Sequence, residues 1–98
     1  MKLYQINLPC YTNAGRDYYP AHEAWQKICL DLAGGYTRLA VIEGAWKNAE
    51  GTVIYDEVAG YQVATDATTW SAIHAAAKRL FPDQVCIFWA WIGTAHID

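Results

Sequence analysis

The feature that most constrains this chain is the segment Gly35 to Glu57, which reads as a β-hairpin. An outward run, Gly-Tyr-Thr-Arg-Leu-Ala-Val-Ile-Glu-Gly-Ala-Trp, meets the turn Lys47-Asn48-Ala49-Glu50-Gly51 and returns as Thr-Val-Ile-Tyr-Asp-Glu. Apolar and β-branched residues on both arms, with a polar glycine-bearing turn between them, are the local signature of paired strands. The return arm carries an unusual load. On period-two alternation Glu57 shares a face with Val53, Tyr55, Ala59, Tyr61 and Val63. A carboxylate in such a row needs a helix N-terminus, a cation or a ligand hydroxyl. A salt bridge across the hairpin to Arg38 or Lys47 would serve it as well as a ligand would.

The rest of the chain builds a frame around that hairpin. Lys2 to Pro9 alternates, with Tyr4, Ile6 and Leu8 on one face, which predicts a strand ended by Pro9. Residues 10–20 read as a loop hinged at Gly15, of a length that often serves function. Pro20 suits a first helical turn, Trp25, Ile28 and Leu32 give an apolar stripe, and Gly34-Gly35 caps the helix. The hairpin strands are predicted over 37–47 and 52–64. Asp66 is a good N-cap for a second helix with the stripe Trp70, Ile73, Ala77 and Leu80, stopped by Pro82. A last strand is predicted from Gln84 to Ile97, with Val85, Ile87, Trp89 and Trp91 on one face and Cys86, Phe88, Ala90 and Ile92 on the other.

The order β-α-β-β-α-β predicts an α+β, ferredoxin-like single domain over residues 1–98, an antiparallel sheet with two helices on one face. That layout leaves the other sheet face bare, and the final strand is apolar on both faces. A second copy of the chain is the natural cover, so a homo-oligomer is expected. Five Trp and seven Tyr in 98 residues point the same way. A core this small cannot take them all, and the surplus goes to a pocket, an interface or both.

Composition narrows the function classes. The net charge is −3 and the densest basic run is Lys78-Arg79, which disfavours nucleic acid as a partner. No run approaches the roughly 18 apolar residues of a membrane span. Cys10, Cys29 and Cys86 are odd in number without Cys-x-x-Cys spacing, so a reducing, cytoplasmic setting is expected. Cys29 and Cys86 read as core residues, and nothing in the sequence ties Cys10 to a histidine. No metal-ligand spacing is present, so neither a metal nor a cofactor is expected. Gly34-Gly35 precedes a strand and therefore caps a helix instead of cradling phosphate.

On its hairpin residues the chain resembles the small phage-encoded S-adenosylmethionine-degrading enzymes, long called hydrolases and better described as lyases. The resemblance rests on Gly44-Ala45-Trp46 followed eleven residues after Trp46 by Glu57, and on Gly35-Tyr36 leading into the hairpin. It extends to the Trp- and Ala-bearing second helix and to Asp83-Gln84-Val85-Cys86 opening the last strand. The family more usually has Tyr where Trp46 stands, so the backbone there would serve where the ring need not.

The resemblance implies a PII-like protomer in a trimer, with sites between subunits. It also implies an enzyme in which the substrate carboxylate attacks its own γ-carbon, releasing 5′-methylthioadenosine and leaving homoserine lactone. Such a reaction asks the protein chiefly for orientation and exclusion of water. Glu57 would be the catalytic residue, holding the ribose hydroxyls, with backbone at Ala45 and Trp46 fixing the amino-acid end. Tyr36, Tyr55, Tyr18 and Tyr19 would stack on adenine or face the sulfonium, under a lid made by residues 10–20. Two alternatives stay open: an oligomer that binds an adenine nucleotide or related molecule without chemistry, and a structural protein whose aromatics only bury an interface.

Overall fold

A computed structural model describes residues 1–83 and 87–96, and its elements run β1 (Lys2–Pro9), α1 (Tyr19–Ala33), β2 (Thr37–Lys47), β3 (Val53–Thr65), α2 (Ala67–Leu80) and β4 (Trp89–Thr94). The strands form one sheet in the order β2-β3-β1-β4, with every pairing antiparallel. This is the ferredoxin-like βαββαβ arrangement expected from the element order. No helix among the described residues is long and apolar enough to cross a membrane.

Each helix is set by its ends and its buried face. Helix α1 takes Pro20 in its first turn and stops at Gly34, whose φ of 81° lets its N–H close on the Leu30 carbonyl. Its buried residues are His22, Trp25 and Cys29. Ala33 continues that arc, so Leu32 falls at its margin in the last turn and is half exposed, against expectation. Helix α2 starts where the Asp66 carboxylate accepts the Thr69 N–H at 2.7 Å, and Lys78 and Arg79 complement the dipole in its last turn. The small Ala76 and Ala77 are buried, and the Trp25 indole donates to the Ile73 carbonyl at 3.2 Å. Burying an indole therefore leaves no orphaned N–H there.

The core lies between the helices and one face of the sheet: Tyr4, Ile6 and Leu8 of β1 and Ala59, Tyr61 and Val63 of β3 are all buried. The Tyr4 ring stacks on Trp70, with centroids 4.7 Å apart and planes 1° from parallel. β1 covers β3 only from Val58 to Thr65. Beyond that point residues 42–57 run on as the β2–β3 ribbon, which outruns its own sheet and helps stretch the long axis to 45 Å. The last strand is shorter than expected, beginning at Trp89 and ending at Thr94, while Ile87 and Phe88 approach it outside strand geometry. Gln84, Val85, Cys86 and Ile97 lie outside the described residues.

Candidate functional site

A cavity of about 520 Å³ opens where the β1–α1 loop, α1 and the start of the hairpin meet. The loop contributes Cys10, Tyr11 and Asp17, helix α1 contributes Tyr19, His22 and Gln26, and the hairpin side contributes Tyr36, Arg38, Val41 and Tyr61. Its volume is that of a small-molecule pocket. The loop is a tight ring and not an open flap. Tyr11 bridges to Asp17, Gly15 turns at φ 80°, and Asn13 bonds to Asp83. The expected lid is thus a pinned wall.

A bulge places the basic residue. Arg38 pairs with Tyr61 and Val41 pairs with Ala59, so the register slips by one residue between them. Without the slip, residues three apart would point to opposite faces. With it, Arg38 and Val41 both face the cavity. Gly60 lies opposite the bulge, where an added Cβ would sit 3.4 Å from both Leu39 Cδ1 and Asn7 Oδ1. The glycine makes room for the bulge.

The cavity floor is a hydrogen-bond relay with its proton direction fixed. His22 Nε2 lies 2.8 Å from the Pro9 carbonyl, which can only accept, so Nε2 carries the proton. Nδ1 then accepts from the Tyr61 hydroxyl at 2.8 Å. Tyr61 in turn accepts from Gln26 Nε2 at 2.9 Å, and Gln26 Oε1 accepts from Tyr36 at 3.2 Å. Burial pushes the His22 imidazolium pKa down, with the Pro9 bond opposing it, so the ring stays neutral at pH 7. Burial also pushes the Tyr61 hydroxyl up, against its bond with Gln26 and the nearby Arg38 guanidinium. The Cys10 thiol is raised by burial and then by the Glu57 carboxylate, which keeps it protonated.

The residues singled out in the sequence do not converge. Tyr36 and Tyr19 line the cavity. Tyr18 does not: it is a core residue packed edge-on against Phe81, because the turn into α1 points it inward. Glu57 lies beyond the closed sheet, exposed, with its backbone carbonyl accepting the Cys10 N–H at 3.0 Å. Its cross-strand neighbour is Glu43, while Arg38 pairs with Tyr61 and Lys47 with Val53. Ala45 and Tyr55 face each other further out on the ribbon. The Trp46 indole donates to Asp56 at 2.7 Å, on the face opposite Glu57. Among the cavity residues that sequence reasoning missed are Asp17, His22, Gln26 and Arg38. Their signal was faint, since a histidine and a glutamine one turn apart on α1 meet Tyr61 only through the fold.

No group of three or more His, Cys, Asp and Glu able to hold an ion occurs among the described residues. His22, the buried histidine of the cavity, has both nitrogens engaged.

No protein-family model matches the sequence, and no curated protein does. Solved structures match the fold closely. The divalent cation tolerance protein CutA1 from Thermus thermophilus superposes with a TM-score of 0.74 at 14% identity, covering 99% of this chain and 86% of that one. CutA from Xylella fastidiosa gives 0.72 at 14% identity, covering 97% and 84%. The periplasmic divalent cation tolerance protein CutA from Archaeoglobus fulgidus gives 0.71 at 14% identity, covering 97% and 84%. The PII-like, ferredoxin-type fold implied by the resemblance stands. The expected S-adenosylmethionine degradation is corrected: the solved structures that share this architecture here are described as CutA divalent cation tolerance proteins and not as enzymes of that reaction. The proposed substrate contacts are also dispersed over both faces of the hairpin and the core.

Proposed function

We propose that this chain assembles as a homotrimer through its overhanging ribbon and takes part in divalent-cation handling, as the CutA proteins are named for doing. The observation that carries the reading is the ribbon itself. Two strands alone are marginal in water, yet this pair projects beyond the sheet with Ile42, Trp46, Val53 and Tyr55 exposed. Apolar groups on both of its faces call for a neighbour on each side, which a closed ring of three identical chains supplies. Three copies are the assembly that the PII-like resemblance implies.

The cation reading draws on Glu43 and Glu57, which face each other directly across the ribbon. Like charges in that position repel and are relieved by a cation. Two carboxylates are fewer ligands than a divalent ion takes, so the remaining donors would come from another protomer. Light scattering together with calorimetric titration of Cu²⁺, Zn²⁺ and Mg²⁺ tests both parts. The expected outcome is a three-chain mass and saturable binding of at least one ion, weakened in Glu43→Gln and Glu57→Gln with the mass unchanged. A monomeric mass would remove the assembly. Equal binding by the wild type and both variants, or none by the wild type, would remove the ion site.

A further inference from the structure

The relay cavity adjoins the ribbon at Cys10, whose N–H bonds to the Glu57 carbonyl, and it holds charges of both signs. Arg38 and Asp17 both line it. Two groups between them register both charges: His22 and Cys10 each feel Arg38 in one sense and Asp17 in the other. Arg38 and Asp17 therefore flank the same floor, with Glu57 adding a second negative charge on the Cys10 side, and the floor is itself neutral because His22 is held uncharged. Arg38 carries five N–H donors in a planar fork suited to a carboxylate. Asp17 spends one oxygen on the Tyr19 N–H at 2.7 Å, and a carboxylate has further acceptor capacity for an ammonium group. The rest of the wall is apolar or aromatic, from Tyr11, Tyr19, Tyr36 and Val41.

We propose that this cavity binds a free α-amino acid with an apolar or aromatic side chain, its carboxylate on Arg38 and its ammonium group on Asp17. The bulge gives the arginine its place, because without the register slip Arg38 and Val41 would not share the cavity face. The fixed relay leaves the Tyr36 oxygen, which donates its proton to Gln26, as a further acceptor at the rim. The proposal rests on this cavity alone, so failure of the cation or trimer reading leaves it standing.

The experiment is a thermal-shift survey of the proteinogenic L-amino acids on the purified full chain, followed by calorimetry. L-phenylalanine and L-leucine are the lead probes, with hydrocinnamate and phenethylamine as analogues lacking the ammonium group and the carboxylate. The expected result is saturable binding of an apolar or aromatic amino acid that neither analogue reproduces. Arg38→Gln and Asp17→Asn each weaken it about tenfold or more, the usual loss for a hydrogen bond to a charged group. Both positions are exposed, so the variants should keep the wild-type circular dichroism, and the analogue series on wild-type protein tests the claim independently of them. Absence of binding by every amino acid at millimolar concentration would overturn the proposal. So would binding that both variants retain, or equal binding of either analogue.

Discussion

Strand β3 is two strands in one. From Ala59 onward its alternate residues Ala59, Tyr61, Val63 and Thr65 are buried, whereas Val53, Tyr55 and Glu57 on the same face are exposed. The alternation does not change along the strand. What changes is the cover: helices and β1 lie over and beside the second half, and the first stands exposed among the described residues. Burial is thus a property of what the topology brings to a face, and one apolar row can be core at one end and interface at the other. The contrast also separates two chemistries. The closed half holds a neutral, directionally fixed relay, and the open half holds the opposed pair Glu43 and Glu57.

Substitutions can break this contrast at either end. The largest effect is expected in the closed half, where Trp25→Ala removes a fully buried indole and its bond to Ile73, costing about 3–5 kcal/mol in denaturant unfolding. In the open half, Trp46→Ala and Tyr55→Ala should change the stability of the isolated protomer by no more than about 0.5 kcal/mol. The same changes should weaken assembly by about 2 kcal/mol or more, read as a shift in mass with concentration. Between the halves, Tyr61→Phe deletes the hydroxyl that joins His22 to Gln26. It should cost about 1–3 kcal/mol by leaving buried partners unpaired. Asp66→Ala removes the α2 cap and should cost about 1 kcal/mol without altering assembly.

The smallest expected effect is on pH dependence. His22 and His74 both have pKa values lowered below 6.5, chiefly by burial. The unfolded chain therefore takes up protons first as the pH falls. Their contribution to stability is fully present above pH 6.5 and declines as the pH drops through the unfolded value toward the lowered folded ones. Denaturation midpoints at successive pH values should show the decline, and His22→Gln should flatten part of it.

Much of the frame was legible in the sequence because it rests on local chemistry. Pro20, Gly34 and Asp66 mark helix ends by what their own backbone or side chain does, and period-two rows give β1 and the hairpin. The site was less legible. The bulge at Arg38 to Val41 depends on Gly60 of the facing strand, so no single segment announces it. The row through Glu57 was read correctly, but its surroundings were not. Its facing residue is another carboxylate, a pairing that only the register reveals. Tyr18 and Tyr19 are adjacent and equally aromatic, yet one is core and the other lines the cavity, since the start of α1 turns them apart. Leu32 fits its stripe on spacing and is exposed because the packed arc runs through Cys29 to Ala33.

Amide hydrogen exchange of the hairpin, followed against protein concentration, tests most directly whether other copies complete the open half. The amides of 58–65 should stay protected at every concentration, because β1 and β2 hold them within the protomer. The amides of 42–57 should be comparably protected when concentrated and lose protection on dilution, or at once in Tyr55→Ala. Protection of 42–57 that is independent of concentration in a monomeric protein would contradict the claim that the ribbon is completed by its neighbours.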